Sequence, residues 1–233
     1  MRAISSMATR LVLADVMAAA AARGLPTVEV ASVGGVDAAA RVAAGEQFDL
    51  VFLAEGALTK LADAGHVVAA SVTPLALSQV AVAVPSGTDE GATAPAGPAF
   101  TDAAGVREAI RGAARVGYST GPSGTALVRM IDEWGMTPEM HDRLVQSRPG
   151  VPVASALAAG EVDLGFQQLS ELVGAPGVTI LGTLPADCAI DTVFAGAVAT
   201  TAADPGGAAA VLAFVCSDAV RDIVTAHSFS PAR

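Results

Sequence analysis

Short apolar runs alternate along this chain with stretches in which apolar residues recur at helical spacing. The runs at residues 49–53 and 77–84 are typical of buried strands, and residues 10–23 are typical of a helix that Gly24 and Pro26 end. This alternation predicts an α/β protein with largely parallel sheets. The predicted strands are residues 1–4, 28–32, 49–53, 77–84, 116–119, 162–166, 178–181 and 192–199, and the predicted helices are residues 10–23, 36–44, 57–64, 102–114, 123–134, 153–159, 167–173 and 208–226.

Three turns that lead from a predicted strand into a predicted helix are rich in hydroxyl and small residues. They are residues 5–9 (SSMAT), 54–57 (AEGA) and 119–125 (STGPSGT). Open α/β sheets bind ligands at the carboxyl ends of their strands, and helix N-termini present unpaired amides there. One such turn is typical of an ordinary capped helix. Three of them together favour a shared site for a small anion.

Other side chains beside these turns have two interpretations each. Gln167 and Gln168 follow the strand 162–166, where their amides could orient a carboxylate or could simply face solvent. Glu55 would repel an anion unless it accepts a proton from the ligand; alternatively, it is a first-turn acid that favours the helix dipole. Tyr118 is either a donor to the ligand or an ordinary tyrosine at a strand end.

Charge and motif content exclude several functional classes. Thirteen Lys and Arg against 23 Asp and Glu give a formal net charge of −10, and the basic residues are scattered, so nucleic acid is not an expected partner. The turn 119–125 lacks the Lys of a phosphate-binding P-loop, and Ser123 does not match the GxSxG nucleophile pattern. Cys188 and Cys216 form no CxxC pair, so a metal site is not expected.

The first residues bear on the expected compartment. Residues 1–22 contain Ser, Thr, Arg and Asp within the apolar stretch, which is not typical of a secretory signal peptide. No apolar run reaches the roughly 20 residues that span a bilayer, so membrane insertion is not expected. The sequence as written predicts a cytoplasmic protein, or a periplasmic or extracellular one if a leader has been removed.

Five sequence segments together resemble a known family. They are ARVAAGEQFDLVFL, TPLALSQVAVAV, YSTGPSG, AAGEVDLGFQQLSEL and PGVTILGTLP, in chain order. They resemble the molybdate-binding-like branch of the type II periplasmic binding proteins, and the resemblance covers nearly the whole chain. It implies two three-layer α/β lobes joined by two crossover strands, with lobe one at residues 1–78 and 193–233 and lobe two at residues 79–192.

In that family the ligand lies between the lobes on helix N-termini. The resemblance places Ala54 and Glu55 at the site in lobe one and replaces the family's usual tyrosine in lobe two by glutamines. The full set of expected substrate-binding residues is Ser5, Ser6, Ala54, Tyr118, Ser119, Thr120, Ser123, Gly124, Gln167 and Gln168.

The subgroup is also similar to the bacterial aconitate isomerases. That similarity implies a cofactor-free 1,3-proton shift on a polycarboxylate, which needs groups that hold carboxylates, a base and a proton donor. Glu55 is the expected catalytic base. The first alternative is a non-catalytic binding protein for molybdate-like oxyanions or carboxylates, which would deliver its ligand to an ABC transporter permease if exported. A ligand-sensing module is the second.

Overall fold

The structure, a computed structural model, describes residues 1–232. Its chain divides into two compact units. The first comprises Met1–Leu77 and the C-terminal segment from Thr192, and the second is Ser78–Asp191. Each unit is an α/β structure, as the alternating pattern predicts.

Ten strands and ten α-helices make up the described chain. The strands are β1 (Arg2–Ser6), β2 (Glu29–Val33), β3 (Leu50–Ala54), β4 (Thr73–Pro85), β5 (Val116–Tyr118), β6 (Leu144–Gln146), β7 (Leu164–Gln168), β8 (Val178–Thr183), β9 (Asp191–Val198) and β10 (Ser230–Pro231). The helices are α1 (Arg10–Ala22), α2 (Gly35–Ala43), α3 (Glu55–Asp63), α4 (Ala103–Gly112), α5 (Pro122–Glu133), α6 (Thr137–Met140), α7 (Val153–Ala158), α8 (Leu169–Leu172), α9 (Pro205–Val215) and α10 (Arg221–Ala226).

The sheet of the first unit is parallel at its centre. β1 pairs in parallel with β2 on one side and with β3 on the other, and Ser5 is level with Ser32 and Phe52. β9 pairs antiparallel with β3. The carboxyl ends of β1, β2 and β3 therefore share one edge, where α2 and α3 begin, whereas α9 follows β9 and begins at the opposite edge.

Alternate residues of β3 point into two separate cores of the first unit. Leu50 and Phe52 pack with residues of α1, α9 and α10, and Val51 and Leu53 pack with residues of α2 and α3. This period of two is the geometry of a strand with both faces covered. The first unit is thus a helix–sheet–helix arrangement of three layers.

The second unit repeats this plan. β7, β5 and β6 are parallel neighbours, while β4 is antiparallel to β7 and to β8. One face of the sheet packs against α4 and α5, and the other packs against α7 and α8. The carboxyl ends of β5 and β7 lie at the same edge, where α5 and α8 begin.

Two of the predicted elements differ in the structure. Gln167 and Gln168, predicted to open a helix, are the last residues of β7, where they pair with Ala81 and Val80. The single helix predicted at 208–226 is broken into α9 and α10, because Ser217 donates to the Phe214 carbonyl at 2.7 Å and accepts from the Ala219 amide at 3.3 Å. The short elements β6, α6 and β10 were not predicted from the sequence.

No helix within residues 1–232 is both long enough and apolar enough to cross a bilayer.

Packing around β9 allows a direct test of the fold. A Cβ added at Gly196 would lie 2.5 Å from Leu212 Cδ1 and 2.7 Å from Phe52 Cε1, both buried. We expect Gly196→Ala to lower the free energy of unfolding by about 1–3 kcal/mol through overpacking. Urea denaturation measures the change. Gly112→Ala, at the end of α4 with no atom within 4 Å of the added Cβ, should be neutral or stabilising.

Candidate functional site

In the first unit, serines and a helix N-terminus meet at the carboxyl ends of β1 and β2. The Ser5 hydroxyl is fully buried and lies 2.8 Å from the Ser32 hydroxyl. The partly exposed Ser6 accepts a hydrogen bond from the Ala8 amide at 3.4 Å. A Cβ at Gly35, the first residue of α2, would lie 3.6 Å from the Ser6 hydroxyl oxygen. Ser6 therefore lies beside the N-terminus of α2, whereas the Ser5 side chain is buried in the interior.

The helices that begin at this edge have no side-chain cap. Gly34 precedes α2 and Ala54 precedes α3, and neither side chain carries an acceptor. Glu55 is the first residue of α3 and is partly exposed. The amides of both first turns are thus left for water or a ligand. Glu55 occupies the first-turn position that favours the helix dipole and is also open to a ligand.

Two helices that begin at the opposite edges, α4 and α9, are capped by aspartates. Asp102 accepts from the Ala104 and Gly105 amides of α4 at 3.0 and 3.1 Å, and Asp204 accepts from the Gly207 amide of α9 at 3.0 Å. An aspartate at this position is the common way to satisfy first-turn amides. Such an aspartate is absent at α2, α3 and α5, which begin at the edge with the predicted site residues; Gly121 precedes α5.

In the second unit, the turn after β5 wraps closely around the start of α5. The hydroxyls of Ser119 and Ser123 lie 3.1 Å apart. A Cβ at Gly124 would overlap the Ser119 carbonyl oxygen and approach the Tyr118 ring to 3.1 Å. Only glycine permits this approach. Ser119 and Thr120 are partly exposed, Ser123 is buried and Thr125 is exposed, so Ser123 is the one hydroxyl residue of the turn that is buried.

Both glutamines lie at the end of β7, next to this turn. β5 and β7 pair with Tyr118 level with Phe166, so Gln167 and Gln168 continue alongside Ser119 and the turn after it. They are 1% and 3% exposed, which shows that the solvent-facing alternative was wrong. The Gln167 Oε1 atom accepts from the Ala154 amide in the first turn of α7 at 3.2 Å.

One ionisable side chain at this edge escaped the sequence analysis. Glu171 lies in α8, three residues beyond Gln168, and is partly exposed. Desolvation raises the pKa of its carboxyl to about 7, against a smaller opposing effect of a hydrogen bond with Gln167. The available signal was that Glu171 is the only charged residue in LGFQQLSEL.

Neither cysteine has the surroundings of a reactive thiol. Desolvation raises the pKa of Cys188 to about 11 and that of Cys216 to about 12, so both stay protonated at neutral pH. Across residues 1–232, no group of three or more His, Cys, Asp or Glu side chains is arranged to hold a metal ion.

The contact between Gly124 and Ser119 generates a prediction. Gly124→Ala should push the first turn of α5 away from the Ser119 backbone, and an anion held there should bind at least about tenfold more weakly, a difference of about 1.4 kcal/mol. Calorimetry with molybdate and with trans-aconitate as probes measures the affinity. The matched variant is Gly87→Ala, in an exposed loop with no atom within 4 Å of the added Cβ. Equal affinities of the two variants would contradict the expected role of this turn.

The raised pKa of Glu171 predicts a pH-dependent stability. The folded protein holds this proton up to about pH 7, whereas the unfolded chain releases it near the ordinary value of 4.5. The stabilising contribution is therefore complete below about pH 4.5 and is lost as the pH rises through 7, by up to about 1.4 kcal/mol per pH unit.

We expect Glu171→Gln to remove this fall in the free energy of unfolding, as measured by urea denaturation between pH 4.5 and 8. Glu161→Gln changes an exposed residue and should keep the wild-type dependence. If Glu171→Gln has the same pH dependence as the wild type, the Glu171 carboxyl of the wild-type protein is not desolvated.

Comparison with known proteins extends these observations to the whole chain. Residues 1–230 match a family profile described as bacterial extracellular solute-binding protein. An aconitate isomerase of Pseudomonas sp. is 32% identical over 184 residues, which cover 78% of this chain and 68% of the relative.

Solved structures show the same fold at low sequence identity. The periplasmic molybdate-binding protein of Azotobacter vinelandii has a TM-score of 0.78 and 19% identity, and the match covers both chains completely. The sulfate-binding protein SubI of Mycobacterium tuberculosis H37Rv has a TM-score of 0.74 and 17% identity over all of this chain and 86% of its own. The type II periplasmic binding protein fold expected from the sequence is confirmed.

These relatives also bear on the expected compartment. The family is described as extracellular and the Azotobacter protein as periplasmic, so they give no support to the cytoplasmic expectation. The profile match spans nearly the whole chain, and the motifs, the fold and the isomerase relative agree with it. The chain belongs to the bacterial extracellular solute-binding protein family.

Proposed function

We propose that this protein binds a small polycarboxylate anion and isomerises it by a cofactor-free 1,3-proton shift. The observation that carries the anion-binding part is the set of uncapped helix N-termini at the carboxyl ends of parallel strands: α2 and α3 in the first unit and α5 in the second. The support for isomerisation is the 32% identity to an aconitate isomerase.

Each unit offers its own polar groups for carboxylates. In the first unit these are the Ser6 hydroxyl and the first-turn amides of α2 and α3; in the second they are Ser119, Thr120 and the first turn of α5. A helix N-terminus carries about half a positive charge, so several of them can neutralise a carboxylate without a lysine or arginine. Such groups hold the anion in one orientation for proton transfer.

The reaction we propose moves one double bond by one carbon–carbon bond. Glu55 accepts a proton from the carbon next to the double bond, and the electron pair of that C–H bond becomes the new double bond. The old double-bond pair then takes a proton at its far carbon. A carboxylate conjugated with the double bond spreads the developing negative charge, and the helix N-termini stabilise it.

Conversion between cis- and trans-aconitate tests this function. We expect wild-type protein to interconvert the two isomers, followed by proton NMR, and Glu55→Gln to lose at least about a hundredfold in rate, as removal of a general base predicts. Asp63→Asn, an exposed change at the end of the same helix α3, should keep wild-type activity. Wild-type protein that binds both isomers and converts neither would refute the isomerase function.

A non-catalytic role in uptake is the second candidate. The family description and the molybdate- and sulfate-binding relatives favour a binding protein that delivers an oxyanion or a carboxylate to an ABC transporter permease. Calorimetry with molybdate, sulfate and the two aconitates separates the candidates. Tight binding of a tetrahedral oxyanion together with no turnover of aconitate would favour uptake.

A further inference from the structure

The proposed proton shift needs a group that returns a proton as well as a base that takes one. Glu55 is the proposed base, so the group that returns a proton is still to be assigned. A returning group must hold its proton at neutral pH and must stand where bound substrate can reach it. Carboxyl groups meet the first condition when they are desolvated and have no cation beside them. Glu171 is a carboxyl group of this kind in the second unit.

Glu171 stands at the ligand-facing edge of its sheet. α8 begins directly after β7, and the pairing of β7 with β5 puts the end of β7 beside Ser119 and the turn into α5. The Glu171 side chain is partly exposed, whereas its neighbour Leu172 is fully buried in the core formed with α7. The residue is therefore partly exposed although its carboxyl is desolvated.

The strands on which α8 packs offer Glu171 no compensating charge. The elements packed against α8 are β7 and β8, and neither carries a charged residue; α7 carries none either. Glu171 has a side-chain hydrogen bond with Gln167. Because the Oε1 atom of Gln167 accepts from the Ala154 amide, its Nε2 group is the part that can donate to the Glu171 carboxyl. One neutral amide offsets desolvation only in part, which leaves the pKa at about 7.

We propose that Glu171 is the catalytic residue that gives a proton to the substrate, a role that rests on the isomerase function proposed above. Glu55 takes a proton from one carbon and becomes a carboxylic acid. Glu171 gives its proton to the other carbon and becomes a carboxylate. Exchange of both groups with water restores the starting state, so no oxidant, reductant or cofactor is needed. In the reverse reaction the two residues exchange roles.

Proton NMR in D2O, run separately from cis- and from trans-aconitate, tests the two roles. The results given next apply to the isomer from which Glu55 takes the proton, and the two variants exchange their expected results for the other isomer. We expect Glu171→Gln to form product at no more than about one-hundredth of the wild-type rate. The same variant should still exchange the abstracted proton of recovered substrate for deuterium, because Glu55 is intact. Glu55→Gln should lose both product formation and this exchange. Loss of exchange in Glu171→Gln from both aconitates would overturn the assignment.

Three further measurements separate a chemical role from a structural one. Glu171→Gln should bind tricarballylate, which has no double bond to move, no more weakly than wild type. Glu171→Asp should recover part of the lost rate, and Glu161→Gln, which changes an exposed residue, should keep all of it. Wild-type kcat/KM should fall as the pH rises above about 7, where the donor loses its proton. Without this alkaline fall, or with full activity in Glu171→Gln, the assignment is wrong.

The isotope content of the first product distinguishes a mechanism with two catalytic residues from a mechanism with a single base. Two residues that exchange with solvent give a product with deuterium at the newly protonated carbon. A single base that carries the proton between the carbons gives a product that retains protium, and this result would remove Glu171 from the mechanism. Wild-type protein without turnover would refute the isomerase function and this role together. If only the role assigned to Glu171 is wrong, the wild-type protein still interconverts the two aconitates.

Discussion

Strand direction is the constraint on which the candidate site depends. β1, β2 and β3 run parallel in the first unit, as do β5, β6 and β7 in the second, so their carboxyl ends gather at one edge of each sheet. β9 and β4 run the other way, which sends α9 and α4 to the opposite edges. Asp102 and Asp204 cap α4 and α9, whereas the first turns of α2, α3 and α5 have no side-chain cap. The parallel strands thus bring uncapped helix starts to the edge of the predicted site.

An acidic protein that binds an anion needs local positive potential, and here the backbone supplies it. The formal net charge is −10, and no Lys or Arg occurs in the three turns that carry the expected site. Amides in a helix's first turn act at short range and are little affected by distant charges, since salt screens those over about 10 Å. The same amides are also fixed in direction, which suits a ligand that must be oriented as well as neutralised.

Gln167 links the second unit's helix starts to its one desolvated carboxyl. Its amide accepts from α7 and faces Glu171 on α8, so two short helices and the end of β7 share one side chain. A cation in place of this glutamine would hold Glu171 ionised. The neutral amide leaves the carboxyl able to keep a proton near neutral pH. Gln167 thus contributes both to the packing around α7 and α8 and to the protonation of Glu171.

The sequence by itself determined the features that depend on neighbouring residues. Alternation of apolar runs and helical stretches predicted the α/β class, and the small and hydroxyl residues at 54–57 and 119–125 predicted turns that lead from a strand into a helix. Gly124 lies in one of these turns, although its contact with Ser119 is seen only in the structure. These signals are local because periodicity and turn chemistry act within a few residues.

Only the tertiary structure decided features that join distant segments. Gln167 and Gln168 are strand residues because β4, more than eighty positions earlier, pairs with them. β6 exists because β5 pairs with it, although its own three residues carry no clear pattern. Glu171 is desolvated in the folded protein, where α8 packs on β7 and β8, and Ser5 is buried against Ser32 of β2. Burial and pairing are set by which segments meet in space, and a single sequence does not encode that in any local pattern.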